Sequence, residues 1–290
     1  MSTGAGLAGV VLAAGAGTRL APLTSLRPKA LCPVGGRSLL DLALDRLEPV
    51  VGGGPGAVAV NAHHLAGQVL AHVADLGGRA GVNGEQGQAL GTAGALGALR
   101  SWLDGRAALV TNADAYLPDG PALVGSLVEG WDGRRCRLLC GPVPPGGRAD
   151  FEGADARTGG TPRPLRFLGV SLVPAGVAGS LPATPSGLYE VVWRAAAARD
   201  ELEFCVADAS AVFRDCGTPA DYLAANLHAA EGRSVVGHGA VVEGRLTRSV
   251  VWDGAYVGPH EHLVDAVRAG DRATPVTVLA STDTLKSDMS

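Results

Sequence analysis

Lysine is almost absent from this sequence: of its 24 basic residues only Lys29 and Lys286 are lysine, leaving 22 arginines. A lysine inside a motif is therefore a more informative choice than usual. Bulk positive charge is lacking too. The 28 acidic residues bring the net charge to -4, so there is no basic footprint for nucleic acid or an anionic membrane surface, and any phosphate chemistry has to be local. The five cysteines, Cys32, Cys136, Cys140, Cys205 and Cys216, make no CxxC pair and no Cys/His array of zinc spacing. Their odd count reads as reduced, cytoplasmic thiols. Long hydrophobic runs are missing as well: the opening MSTGAGLAGVVLAAGAG has no basic n-region, and Arg19 interrupts it short of membrane-spanning length. The sequence predicts neither a secreted nor a membrane-anchored chain.

What is present is a globular composition, 47% hydrophobic and 18% charged over 290 residues, enough for one large domain or two small ones. Between residues 7 and 140 short apolar runs alternate with helix-period segments, the pattern of a parallel sheet covered by helices. Strands are predicted at Leu7 to Ala14, Ala57 to Val60 and Ala107 to Val110. Helices are predicted behind Ser38-x-x-Asp41, which reads as a cap, through Leu65, Val69, Val73 and Leu76, and through Leu96, Leu99 and Leu103. Gly141 to Pro164 is so rich in Gly and Pro that it reads as a loop. Arg166 to Val173 and Ala211 to Arg214 read as strands and Leu188 to Ala198 as a helix. Thr218-Pro219-x-Asp221 opens another helix, with Thr as N-cap and Pro at the first helical position.

After Gly232 the texture changes to VVGHGAVVEGRLTRSVVWDGAYVG, in which apolar residues alternate with glycine at near-hexapeptide intervals. This predicts one or two coils resembling a left-handed parallel β-helix, with a hairpin or edge extension as the alternative. The expected organisation is an α/β domain at 1–232, a candidate for nucleotide binding, a hexapeptide-like β segment at 233–270 and a polar tail at 271–290. The β segment cannot bury two faces alone, so it is expected to pack on the main domain or on a second copy of the chain, and its removal is expected to spare the chemistry.

The sharpest motif runs from Val11 through Leu12, Ala13, Ala14, Gly15, Ala16, Gly17, Thr18 and Arg19 to Thr24, followed by Arg27-Pro28-Lys29 and Pro33-Val34. A strand that ends in a glycine loop lets backbone N–H groups approach a phosphate, and Arg19 and Lys29 add charge to the same loop. A dinucleotide fingerprint would need glycine where Leu20 stands. A P-loop would need Gly-Lys-Ser/Thr around Lys29.

This string resembles the signature of the sugar-1-phosphate nucleotidyltransferases, the NDP-sugar pyrophosphorylases. The resemblance continues in order through Val60-Asn61-Ala62-His63-His64-Leu65, Leu90-Gly91-Thr92-Ala93-Gly94, Asn112-Ala113-Asp114 and Asp215-Cys216-Gly217-Thr218-Pro219. Its look is nearest to the N-acetylmuramate-1-phosphate uridylyltransferase and mannose- or heptose-1-phosphate guanylyltransferase branch. It implies an α/β fold of Rossmann-like GT-A type with a mainly parallel sheet. The implied reaction is in-line attack of a sugar-1-phosphate oxygen on the α-phosphorus of an NTP, dependent on Mg²⁺, with NTP and sugar 1-phosphate as the partners. Arg19 would hold the β- and γ-phosphates and Lys29 the α-phosphate. Leu12, Ala13, Ala14, Gly15, Gly17, Thr18, Gly91 and Thr92 would bind the nucleotide.

Asp114 and Asp215 each follow an apolar run, and two carboxylates from strand ends are the hard ligands a phosphate-bridging Mg²⁺ needs. On the sugar side the resemblance implies Asn112 and Gly169. The family's Glu-Lys-Pro lysine has no counterpart between residues 29 and 286, which leaves Arg163 or Arg166 as substitutes. His63, His64, Cys32 and Cys216 read as packing residues. A catalytically silent sugar-nucleotide-binding regulator and a nicotinamide oxidoreductase are the competing classes.

Overall fold

Leu7–Leu12, LAGVVL, forms a strand whose residues are buried up to a half-buried Leu12, as a continuous apolar run predicts for a parallel strand covered on both faces. It lies inside an eight-stranded sheet of order Gly81–Gly84, Val58–Ala62, Leu7–Leu12, Ala107–Asn112, Gly159–Val173, Cys136–Pro142, Leu202–Val206, Phe151–Asp155. Of these only Gly159–Val173 runs antiparallel to its neighbours. The computed structural model describes residues 6–144 and 146–280. The chain divides into two units, Met1–Gly15 with Leu42–Phe213 and Ala16–Asp41 with Arg214–Ser290. The sheet belongs to the first unit. This is a mixed α/β architecture with a large, mainly parallel sheet, as predicted. Among the described residues no helix is long and apolar enough to cross a membrane.

The helices fall where hydrophobic period placed them. Leu39–Val51 follows Ser38, whose Oγ accepts the Asp41 N–H at 2.9 Å. Ala66–Asp75 buries Val69 and Val73. Tyr189–Trp193 and Arg194–Ala198 make one continuous helical stretch from Leu188, with a π turn at its start.

Three expectations need correction. The Gly/Pro-rich stretch read as a loop contains a strand pair, Phe151–Asp155 against the first part of Gly159–Val173. Its glycines serve the pairing: a Cβ on Gly153 would stand 2.4 Å from the Phe204 ring, so only glycine fits there. Asp155 Oδ1 accepts the Arg157 N–H at 2.9 Å in the connecting turn. The strand expected at Ala211 to Arg214 is only Arg214–Asp215, so Asp215 lies within it rather than after it. The strand Leu202–Val206, next to the sheet edge, has no counterpart in the sequence reading, because LEFCV carries its charge at Glu203, which pairs with buried Arg137 at 2.8 Å.

In the second unit Thr218 caps the helix Pro219–Ala229 by accepting the Asp221 N–H. Beyond it the chain forms stacked parallel rungs. Val250 pairs with both Val235 and Val267, Val241 with Tyr256, and Arg245 with His262. Parallel pairing excludes the hairpin alternative for these residues. Val251, Ala255, Val257, Leu263 and Ala266 fill the inside of the coils. Val276–Leu279, within the segment read as a polar tail, closes the stack as an antiparallel strand on Ala266–Ala269. The remainder of that tail, residues 281–290, lies outside the described residues.

Candidate active site

In the first unit the carboxyl ends of Leu7–Leu12 and Ala107–Asn112 open into a cavity of about 410 Å³. Its walls include Leu12, Gly91, Thr92, Asn112 and Gly169, so residues assigned separately to the nucleotide and to the sugar phosphate share one space. Phe167, Leu188, Tyr189, Glu190 and Trp193 line it as well, and sequence reasoning missed these. The signal for Leu188 to Trp193 is tertiary. Gly91, Gly94 and Gly97 form one face of the helix Gly91–Ala98, and a Cβ on each would stand 2.3–2.6 Å from the backbone of Ser186, Thr184 and Pro182. The Ser186 carbonyl accepts the Ala93 N–H at 3.0 Å, and Thr92 Oγ1 accepts the Leu188 N–H at 2.7 Å. Thr92 thus ties down the wall of the cavity. It does not cap its own helix, whose N-cap is Leu90 without a side-chain bond.

A chain of hydrogen bonds braces the strand-to-loop turn. The Ala13 N–H donates to Asn61 Oδ1 at 2.7 Å, Asn61 Nδ2 donates to Glu85 Oε1 at 2.7 Å, and the Leu90 N–H donates to Glu85 Oε2 at 2.9 Å. Both Asn61 and Glu85 are buried, so their hydrogen-bonding groups are spent on fixing Ala13 and the entry to Gly91. His63 Nε2 lies 2.7 Å from the Gly87 carbonyl, in keeping with a structural role. Arg46 is fully buried and donates to Thr111 Oγ1 at 2.8 Å and to the carbonyls of Asn112 and Ala115. It clamps the turn that carries half-buried Asp114. On a helix surface pattern Arg46 reads as a solvated charge, and nothing in the sequence marks it otherwise.

Arg163 and Arg166 are not among the residues lining this cavity. Arg163 stands opposite Gly153 in the strand pair, and Arg166 lies over the Phe213 ring at 4.7 Å.

The second unit holds the cations. Gly17 adopts φ 63°, and a Cβ there would meet Thr24 Cγ2 at 2.7 Å and Lys29 Cβ at 3.2 Å, so this glycine is required by both conformation and space. Thr24 Oγ1 donates to the Gly17 carbonyl at 3.0 Å and closes the loop. Lys29 Nζ lies 3.5 Å from Asp215 Oδ1, and Arg19 Nη2 lies 3.6 Å from Asp215 Oδ2. Arg19, Lys29 and Asp215 are therefore brought together from distant parts of the sequence. Lys29 is buried, while Arg19 is two-thirds exposed. Cys32 and Cys216 are buried, and burial pushes the Cys32 thiol up to about 12, which makes it inert.

Among the described residues no group of three or more His, Cys, Asp or Glu is arranged to hold a metal ion. Mg²⁺ is commonly held by one or two carboxylates together with substrate phosphates, and Asp215, with its carboxylate 41% exposed, suits that mode.

Comparison with known proteins matches residues 9–281 to the model of the MobA-like NTP transferase domain. The chain is 31% identical, over 77% of its length and 96% of the relative's, to an N-acetylmuramate alpha-1-phosphate uridylyltransferase of Caulobacter vibrioides. Two solved structures share the fold. One, from Thermus thermophilus, is described as a mannose-1-phosphate geranyltransferase: TM-score 0.66, 19% identity, 94% of this chain and 95% of the other. The second, from Bacillus anthracis in complex with a sucrose, carries the description putative glucose-1-phosphate thymidylyltransferase: TM-score 0.59, 20% identity, 77% and 95%.

Proposed function

From the premise that the chain belongs to the MobA-like NTP transferase domain family and is a sugar-1-phosphate nucleotidyltransferase, we propose how its residues divide the reaction. A sugar-1-phosphate oxygen forms a bond to the α-phosphorus of an NTP. The bond from that phosphorus to the α–β bridging oxygen breaks, and pyrophosphate leaves with the electron pair. Lys29 neutralises charge developing at the α-phosphate. Arg19, more exposed, holds the β- and γ-phosphates, which carry charge before and during the reaction. Ala14, Gly15, Gly17 and Thr18 offer backbone N–H groups to the triphosphate, Ala13, whose own N–H is held by Asn61 Oδ1, sets the start of that loop, and Leu12, Gly91 and Thr92 border the nucleoside. Asn112 and Gly169 border the sugar phosphate, whereas Arg163 and Arg166, the substitutes the motifs offered for the family's lysine, do not line that cavity. The observation that supports the nucleoside and sugar-phosphate assignments is the cavity shared by Leu12, Gly91, Thr92, Asn112 and Gly169, and the gathering of Arg19 and Lys29 at Asp215 supports the phosphate assignments.

The assignment of Mg²⁺ to Asp114 and Asp215 rests on the sequence motifs and on the chemistry of carboxylate donors. When bound, the ion supplies charge neutralisation to the phosphate oxygens. The GT-A type of the fold and a left-handed wind of the C-terminal coils are likewise proposed, from the motif order and the hexapeptide-like spacing. Five buried, free cysteines support work in the reducing cytoplasm. Exposed Val236, Val241, Val264 and Leu279 on the C-terminal segment support self-association.

The test is pyrophosphate release from a panel of NTPs and sugar 1-phosphates with Mg²⁺, beginning with UTP and N-acetylmuramate 1-phosphate, the pair implied by the Caulobacter relative's name. Turnover with at least one pair is expected. A folded protein that is stabilised by NDP-sugars yet releases pyrophosphate from none would instead be a binding regulator.

A further inference from the structure

The signature segment of the second unit is gripped at both ends by residues far downstream. At its start Arg27 lies over the Trp252 ring, 5.0 Å from the centroid, and its Nη1 is 3.9 Å from Asp253 Oδ2. Asp253 is itself oriented, because its Oδ1 accepts the His238 N–H at 2.9 Å from the adjoining coil. At its end the Pro33 carbonyl accepts from Tyr222 Oη and from Asn226 Nδ2, and the Gly35 N–H donates to Asn226 Oδ1 at 3.2 Å. Trp252 joins the two grips: its Nε1–H donates to Tyr222 Oη at 3.0 Å, and the two rings meet edge-on at 81°. Tyr222 and Trp252 are buried, and burial holds the Tyr222 phenol well above its ordinary range, so its hydroxyl remains a donor. Lys29 sits between the two grips, at the start of a tight turn in which the Leu31 N–H donates to the Pro28 carbonyl and the Cys32 N–H to the Lys29 carbonyl.

We infer that the C-terminal coils are a brace for the catalytic loop, with Trp252 and Asp253 as positioning residues that hold Arg27 to Gly35 so that Lys29 meets the α-phosphate. This rests on the role proposed above for Lys29. It reverses the expectation that the segment after residue 232 is dispensable for chemistry. The physical ground is that a single tight turn does not fix a lysine by itself, whereas misplacing a catalytic group by about 1 Å costs roughly 10²-fold in rate. Trp252 supplies an N–H, a ring face and a buried anchor at one point, which no exposed coil residue could do.

The test compares full-length Trp252→Phe, Asp253→Asn and, as a control for simple coil destabilisation, Leu246→Ala, whose side chain packs on the coil core. Three quantities are read: kcat and KM for the NTP with UTP and the best sugar 1-phosphate, melting temperature, and hydrogen exchange of the Cys32 and Gly35 amides. Trp252→Phe keeps the ring and loses the N–H. It is expected to lower kcat about tenfold with KM changed less than about threefold, and to speed exchange of both amides. Leu246→Ala should lower melting temperature with kcat retained. Asp253 is half-exposed, so Asp253→Asn should fold even if Trp252→Phe does not, and should lower kcat in the same direction. Unchanged kcat and unchanged exchange in both brace variants would overturn the inference. Lys29→Ala, assayed alongside, separates the two readings: full turnover there removes Lys29 from the mechanism, whereas an inactive Lys29→Ala beside fully active brace variants overturns the brace alone.

Discussion

Lys29 and Arg19 contact the same carboxylate and differ in burial, and that difference sorts their effects. In the role proposed for Lys29, an ammonium beside the reacting phosphorus acts mostly in the transition state. Lys29→Ala is expected to lower kcat by about 10²–10³, by analogy with removal of one preorganised donor, while NTP affinity measured by calorimetry changes far less. Arg19→Ala should weaken both. Asp215 pairs with both cations and has the further role proposed for Mg²⁺. Asp215→Asn should shift the Mg²⁺ concentration giving half-maximal activity well upward, and combining it with Asp114→Asn should be little worse than the poorer single variant, since groups acting as a unit are non-additive. A variant that melts earlier but shows the wild-type Mg²⁺ response would leave Asp215 with only its ion pairs to explain.

Two elements are tuned closely enough to be tested on their own. The glycine face of Gly91–Ala98 leaves no room for a methyl at Gly94, where a Cβ would stand 2.3 Å from the Thr184 carbonyl oxygen. Gly94→Ala should force the backbone at residues 182–186 outward, at a cost of about 1–3 kcal/mol. A lower melting temperature should be accompanied by a raised KM, because the same displacement moves Leu188 to Trp193 in the cavity wall. In the coils, Arg268 is buried and donates through both Nη atoms to Glu261, and this pairing holds the Glu261 carboxyl below its ordinary range. A depressed folded-state pKa contributes stability that is present above the unfolded value and lost as pH falls through the folded one. Melting temperature should therefore fall on acidification below the ordinary glutamate range. Glu261→Gln should be less stable near neutrality and lose less on acidification, a comparison made by melting curves from about pH 3 to 7.

At the scale of the molecule, a ligand that binds only the folded chain raises its stability by mass action, about 2.7 kcal/mol at a hundred times its dissociation constant. The NTP that supports turnover and the matching NDP-sugar are expected to raise the melting temperature in proportion to the logarithm of concentration. Truncation after residue 232 removes Trp252 and Asp253, the anchors of Arg27, together with the whole coil stack. The shortened chain is expected to lose most of its turnover even where it folds, as measured by pyrophosphate release per folded molecule.

Features whose cause is local are legible in the residues themselves. Apolar runs placed Leu7–Leu12 and Ala107–Asn112. Helical period placed Ala66–Asp75, and Thr218-Pro219 placed the start of the helix through Ala229. Spacing of small residues around Arg19 and Lys29 announced a tight glycine loop, and Gly17 takes the left-handed conformation that such a loop needs. Tertiary structure alone decided what depends on partners distant in sequence. Glycines between 141 and 164 became part of a sheet because Phe204 occupies the space a Cβ would need at Gly153. Arg46 became a buried clamp because the carbonyls of Asn112 and Ala115 converge on it. Trp252, an ordinary coil residue by pattern, became an anchor of the loop that carries Arg27 and Lys29 because its N–H meets Tyr222, 30 residues away, and its ring meets Arg27. Periodicity reports which face of an element is apolar; which particular side chain faces it across the fold follows from packing, and packing is decided only when distant segments meet.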